Sequence, residues 1–253
     1  MKPIVKEVSI SVVVPIENNR VELLLKSLSE YNKLNDLSDI EFVFVTRTID
    51  EEDLHIVLSN FKNFEYKIIR YDISKSVWWR SKYFNPAMAL NLGVKNSSAE
   101  YVIITSPEVM PLSPVISQFK NVLGQNCVAK VFDECGAGKS VEGSKWSVLV
   151  DSSFRCDTPA MYFLTLFNKC DILKINGWDE RFLGGYAWED SDFGERWNRM
   201  GIKFIVRDDI VGLHQFHERH SQDSIGWKMN KKLFDDNRIS GLIKTPFGIV
   251  KEY

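Results

Sequence analysis

Alternation constrains this chain more than any other feature. Over the first 112 positions, short runs rich in β-branched and aromatic residues are separated by segments with apolar residues at helical spacing. Residues 9–14 read as a buried strand stopped by Pro15, with further strands at 40–45, 66–71 and 100–105, the last interrupted by Pro107 and Pro111. Between them, Leu24, Leu25, Leu28 and Tyr31 give residues 21–34 a helical face, and 50–61 and 85–94 read as helices, the latter ending near Gly93. This alternation predicts an α/β fold with a mostly parallel central sheet and helices on both faces. Ligands in such sheets bind beyond the carboxyl ends of the strands. Chemistry is therefore expected at 15–20, 46–50 and 105–109.

After residue 112 the pattern changes. We expect a helix over 113–123, a strand over 128–132 and a mobile, Gly-, Ser- and charge-rich loop over 134–145. An apolar run follows at 161–167, then a short helix over 168–175 ending at Asn176-Gly177. A helix over 189–200 is closed by Gly201, and 202–206 read as a strand. The last thirty residues carry few signals. No repeat, low-complexity segment or linker divides the 253 residues, so one domain is expected.

Composition removes several classes. The 32 Lys+Arg and 34 Asp+Glu nearly cancel to a net charge of -2, which argues against a general nucleic-acid binder. No apolar run approaches the ~18 residues of a membrane span, and residues 1–14 lack a signal-peptide pattern. Cys127, Cys135, Cys156 and Cys170 form no C-x-x-C and read as reduced thiols of a cytoplasmic protein.

Three constellations suggest chemistry. Glu108 follows the fourth strand, where a carboxylate either is a solvated turn acid or holds a divalent metal beside a diphosphate. The segment G-G-Y-A-W-E-D-S-D over 184–192 puts three acids at a helix start. Complementing the helix dipole would explain the acids alone, whereas the adjoining glycines and aromatics suit a sugar ring and a general base. His214, His217 and His220 recur at spacing three after a strand, a pattern open to metal ligation. His214 and His220 cannot share one metal on a straight strand, so one or two ligands are expected. Two features are weaker. Gly136-Ala137-Gly138-Lys139-Ser140 ends like a phosphate-binding loop, but Asp133 stands where its first glycine belongs. Trp78-Trp79-Arg80 reads as hinge packing or as a stacking surface.

Taken in order, these segments resemble the GT-A glycosyltransferases, in particular the β-1,4-galactosyltransferase group and the chondroitin-polymerase-type enzymes of family 2. Val14-Pro15-Ile16-Glu17-Asn18-Asn19-Arg20 is similar to I-P-F-R-N-R, and residues 84–93 to F-N-R-A-K-x-L-N-x-G. Ile175-Asn176-Gly177-Trp178 with 184–192 resembles I-N-G-F followed by W-G-W-G-G-E-D-D-D. Phe193-Gly194-Glu195-Arg196 resembles F-G-Y-R, and Leu213-His214-Gln215 resembles Y-H-Q. The likeness runs from residue 9 to about 220. The chain departs from the family at D-x-D, which is Ser106-Pro107-Glu108, and at the uracil-reading acid, replaced by Thr46-Arg47-Thr48.

The resemblance implies a single Rossmann-like GT-A domain over 1–253, with a nucleotide-binding half (1–112) and an acceptor-binding half (113–253). It implies inverting, metal-dependent transfer from a nucleotide-sugar, with a UDP-sugar as leading donor, to a glycan or lipid-linked acceptor hydroxyl, as in polysaccharide biosynthesis. Mn²⁺ or Mg²⁺ would be held by Glu108 and His214, with His217 and His220 in reserve. Asp190 would be the general base, with Glu189 orienting sugar or acceptor and Trp188 stacking near the transferred sugar. Pro15, Ile16, Arg20, Asp50, Asn85 and Asn91 would line the nucleotide side. The loop 134–145 would form a lid, and contact with the inner face of the membrane would be peripheral. The alternative is a non-catalytic GT-A-like carbohydrate-binding or scaffold protein, since one acid remains in the metal motif.

Overall fold

The computed structural model describes residues 7–61, 64–71, 84–134, 139–140, 146–152, 163–184, 187–218 and 224–250. The expectations placed on Trp78-Trp79-Arg80, on Cys135 and Cys156, on His220, on Gly136-Ala137-Gly138 and on nearly all of the 134–145 loop lie outside them.

The first half builds the parallel part of the sheet. Ile10–Ile16 (β1) leads through a 3₁₀ turn at Asn18–Arg20 into Val21–Leu34 (α1). Then come Ile40–Thr46 (β2), Glu51–Leu58 (α2), Glu65–Arg70 (β3), Pro86–Asn96 (α3) and Tyr101–Thr105 (β4). β1 pairs in parallel with β2 and β4, and β2 with β3. The expected strand stop at Pro15 is corrected: Pro15 lies inside β1, in register with Val45. It is tolerated because the pairing with β4 already ends at Val13, so the missing N–H breaks no ladder there.

The second half is mixed. Val109–Pro111 (β5), Val115–Lys120 (α4), Asn126–Asp133 (β6), Lys139–Ser140 (β7), Ser147–Val150 (β8) and Leu164–Asn168 (β9) follow. Lys169–Lys174 (α5), Glu189–Arg199 (α6), Phe204–His214 (β10) and Ile225–Ser240 (α7) complete the order. The sheet runs β3-β2-β1-β4-β9-β6-β10-β5, with β8 on β6 and β7 on β8. β9 is antiparallel to both β4 and β6, whereas β10 returns parallel to β6. Parallel ladders still carry the larger share of the pairing. The expected strand at 202–206 is longer than its apolar run, because β10 continues past a bulge between Arg207 and Val211 as far as His214.

Side-chain alternation sends Val12 and Val14 to one face of β1 and Val13 to the other. The first face packs against Leu24, Leu28 and Tyr31 of α1, Leu54 and Leu58 of α2, and Phe119 of α4. The second face packs against α3, Ile172 of α5, and Phe193 and Trp197 of α6, where Trp178 stacks on Phe193 at 4.2 Å. Helices thus cover both faces. Gly93 is corrected from a helix stop to an interior packing residue of α3. A Cβ there would lie 2.2 Å from Val13 Cγ1, so glycine lets α3 sit directly on the sheet. Cys127 is buried and Cys170 exposed, both as free thiols, and burial pushes the Cys127 thiol up to about 12. Among the described residues no helix is long and apolar enough to cross a membrane.

Candidate functional site

Three strand ends meet at one sheet edge. β4 ends at Thr105 and turns through Ser106 and Pro107, placing Glu108 at the rim as β5 begins. β6 ends at Asp133, and β10 ends at His214, which is the register partner of both Asp133 and Val109. The chain then leaves the strand, so His217 can fold back towards His214. The expected obstacle concerned His214 and His220, and His220 lies outside the described residues.

The result is a cluster of Glu108, His214 and His217, whose ligand atoms all lie within 4.8 Å of one another. His214 Nε2 and His217 Nε2 are 3.3 Å apart, and each is 3.8 Å from Glu108 Oε1. His214 Nδ1 lies 2.8 Å from Asp133 Oδ1, and His217 Nδ1 lies 2.8 Å from the Glu218 carbonyl oxygen. A carboxylate and a carbonyl only accept hydrogen bonds, so both Nδ1 atoms donate. In the neutral rings both Nε2 atoms then present lone pairs to each other. A cation between them satisfies two nitrogens and a carboxylate at once, and separations of this size suit metal–ligand bonds of ~2.0–2.2 Å. The donor set fits a divalent ion.

The surroundings hold this set in place. Burial raises the Glu108 carboxyl, but the hydrogen bond and charge of His214, with Arg20 beyond it, bring it below its ordinary value. Burial lowers the His217 ring, against the raising effect of the Glu218 backbone and of Glu108. Gln215 Nε2 donates to the Glu108 carbonyl (3.3 Å), to Ser27 Oγ (3.0 Å) and to the Leu23 carbonyl (3.2 Å). Ser27 Oγ donates in turn to the Pro107 carbonyl at 2.9 Å. The Glu108 turn is thereby clamped to α1. Asp133 and Ser27 were not singled out from the sequence. Asp133 ends an apolar strand beside a charged loop, and Ser27 lies on an ordinary helical face, so neither carries a local signal.

The acidic segment opens α6. Only residues 200–203 separate α6 from β10, and Trp197 stacks on Phe204 at 4.8 Å. The C-terminal end of α6 therefore packs beside the start of β10. Ala187 (φ 66°) and Trp188 (φ 80°) are consecutive non-glycine residues in the left-handed region, a strained entry that starts α6 abruptly at Glu189. Glu189 is buried. Asp190 is half-buried, and its Oδ1 accepts from the Ser191 N–H at 2.6 Å. Burial pushes the Asp190 carboxyl above its ordinary value, with the Ser191 N–H and hydroxyl pulling back.

The other expected site residues divide. Arg20 closes the 3₁₀ turn after β1 and acts on Glu108 by its charge. Pro15 is half-buried at the end of β1, and the Ile16 side chain is wholly in the core. Asp50 caps α2 by accepting from the Glu52 N–H and faces Arg70 at 3.5 Å, exposed on the surface. Asn85 and Asn91, expected to line the nucleotide side, are both buried. Asn85 Oδ1 accepts from the Met88 N–H while its Nδ2 donates to the Glu180 carbonyl. Asn91 exchanges hydrogen bonds with the Trp178 backbone at 2.8 and 2.9 Å. Both amides are buried brackets between α3 and the 176–180 turn. The Trp188 ring, expected to stack on a sugar, packs against α7, 5.3 Å from Trp227 and 5.1 Å from Phe234, with Lys231 Nζ 4.9 Å away.

No protein-family profile matches the chain, and no curated protein sequence matches it. Solved structures do. The TarS protein of S. aureus superposes with a TM-score of 0.64 at 14% identity, over 90% of this chain and 39% of that one. A 1–349 form of TarS in complex with UDP-GlcNAc gives 0.66 at 15% identity, over 89% of this chain and 65% of that one. The mannosyltransferase PcManGT of Pyrobaculum calidifontis, in complex with GDP-Man and Mn²⁺, gives 0.59 at 16% identity, over 94% and 64%. The chain thus spans less than two thirds of each of these structures. At these identities the likeness establishes the fold, which is of the GT-A type.

Proposed function

We propose that this chain is an inverting glycosyltransferase that moves a sugar from a nucleotide-sugar to an acceptor hydroxyl. The observation that carries the reading is the convergence of Glu108, His214 Nε2 and His217 Nε2 at the carboxyl edge of the sheet, with Arg20 beside them. Support comes from the bound UDP-GlcNAc of TarS and the bound GDP-Man and Mn²⁺ of the mannosyltransferase.

Glu108, His214 and His217 would hold a divalent cation, which when bound offsets the charge building on the departing diphosphate. Arg20 adds a fixed positive charge on the same side. Asp190 is the general base. Its raised carboxyl is better matched to taking a proton near neutral pH than an ordinary aspartate. It removes the acceptor proton as the acceptor oxygen bonds to the anomeric carbon. The bond from that carbon to the diphosphate oxygen breaks on the opposite face, its electron pair leaving with the nucleoside diphosphate, so configuration inverts. Glu189 orients the sugar or acceptor. The acceptor is a glycan or lipid-linked hydroxyl, met in the cytoplasm or at the inner face of the membrane.

A thermal-shift panel of UDP, GDP, CDP and dTDP, each with and without Mn²⁺, tests the reading. At a ligand concentration of 100 Kd, stabilisation is about 2.7 kcal/mol, or a rise of roughly 5–10 °C for a chain of this size. One nucleotide should give that rise only with Mn²⁺. Asp190→Asn should keep the shift and lose transfer. A panel with no shift would leave the scaffold reading standing instead.

A further inference from the structure

We propose that Asp133 is a positioning residue which, by fixing the His214 tautomer, makes the Glu108–His214–His217 cluster a nitrogen-rich site that takes first-row transition ions in preference to Mg²⁺. The inference rests on reading that cluster as a cation site. Asp133 has no exposed surface and sits opposite His214 in the β6–β10 register. Its Oδ1 is 2.8 Å from His214 Nδ1. The proton on Nδ1 is therefore held by a buried acceptor, and Nε2 is left as a donor atom. The edge of the Phe163 ring, 5.1 Å from the His214 ring at 78°, restricts rotation out of that pose. His217 is fixed in the same tautomer by the Glu218 carbonyl.

The donor set that results is two imidazole nitrogens and one carboxylate oxygen. Mg²⁺ is a hard ion that prefers oxygen and sheds water reluctantly. Imidazole suits transition ions, with affinity rising from Mn²⁺ towards Cu²⁺. A carboxylate on the far nitrogen also raises the basicity of the ligating one. Removing Asp133 frees the His214 proton to move to Nε2, where it closes that ligand position.

Two measurements test this on the full chain. In the metal-free protein, two-bond ¹H–¹⁵N correlation should show His214 with its proton on Nδ1, and Asp133→Ala should shift it towards Nε2. In a Mn²⁺ titration followed by electron paramagnetic resonance, the wild type should retain Mn²⁺ against a hundredfold excess of Mg²⁺. Asp133→Ala should weaken Mn²⁺ binding about 10–100-fold. Asp133→Leu, which keeps the buried volume and cannot accept a hydrogen bond, serves if the alanine variant does not fold. Unchanged Mn²⁺ affinity in a folded variant, or displacement by equimolar Mg²⁺, would overturn the proposal. A wild type that binds no Mn²⁺ sinks the cation reading as a whole, while an Nε2–H tautomer in the metal-free protein sinks the role of Asp133 alone.

Discussion

Arg196 should be the most consequential single residue of the acidic-segment helix. It is fully buried and pairs with Asp192, also buried, through Nε at 2.7 Å. Its Nη1 donates to the carbonyls of Ile175 and Gly177 at 3.0 and 2.9 Å. Asp192 Oδ1 accepts from Asn237 Nδ2 at 2.8 Å, which ties α7 into the same bracket. Arg196→Met keeps most of the volume but removes the charge. Two carbonyls lose their donor and Asp192 keeps one neutral partner. Each unmet buried group costs about 1–3 kcal/mol, and breaking one side of a buried ion pair costs about 3–5 kcal/mol. The ion-pair figure already includes the cost of the groups left behind, and apolar packing of the methionine returns ~1 kcal/mol or more, so we expect a net loss of about 3 kcal/mol. With an m value of ~3 kcal/mol/M, the urea midpoint should fall by about 1 M. Because Asp192 would then keep only the more distant charge of Arg181, Arg196→Met with Asp192→Asn should be less destabilised than the sum of the singles, by at least ~1 kcal/mol. A loss under ~1 kcal/mol for the single variant, or an additive cycle, would refute the bracket.

Three further outcomes are expected. Glu41 is buried, accepts from Ser11 Oγ at 2.6 Å and pairs with Lys67 at 2.7 Å. Burial alone would raise its carboxyl, but the Lys67, Ser11 and Ser98 hydrogen bonds hold it below the ordinary value. Its contribution is thus full above the unfolded value and lost as pH falls through the folded one. Glu41→Gln should lower stability at pH 7 and flatten the acid limb of Tm against pH below about 5; an unchanged limb would exclude Glu41 from acid unfolding. Gly93→Ala gains ~1 kcal/mol of helix propensity yet puts a Cβ 2.2 Å from Val13, so Tm should drop, and a rise would mean α3 yields freely. Ser224→Ala removes the acceptor for the Trp227 N–H and should loosen the first turn of α7 by about 1 kcal/mol, read as faster amide exchange there than in α6.

The parallel half of the fold was legible because its strands are continuous apolar runs and α1 has a clean apolar face. α7 was not. Its buried positions are Asn230, Phe234 and Asn237, so two of the three inward residues are polar and leave no hydrophobic period to read. Asn230 and Asn237 face inward because they answer backbone and carboxylate groups of the 184–192 segment. β10 was shortened in the sequence reading for a similar reason, since Asp208 and Asp209 interrupt its apolar run at the bulge. The histidine spacing pointed to His214 and His217, whereas Asp133 is legible only once β6 and β10 are paired. The F-G-E-R stretch was visible as a family mark, but its physical content, the buried Arg196 bracket, needed the packing of α6. Asn85 and Asn91 stand out in the sequence through a motif, and their buried bonds to the 176–180 turn are legible only in the packed structure, because a motif does not record which way a side chain points.

The clamp at Gln215 sets a schedule for the chain during synthesis. Its amide reaches the Leu23 carbonyl across 192 positions of sequence and the Glu108 carbonyl across 107. The parallel half through β4 has its own ladders and can form while later residues are still emerging. The rim at Glu108 cannot be tied to α1 until residue 215 has left the ribosome, and His214 and His217 arrive at the same moment. A nascent chain can therefore acquire the parallel half of its sheet before the Glu108–His214–His217 cluster closes. Under the proposed function, that order leaves a half-built protein without its cation site.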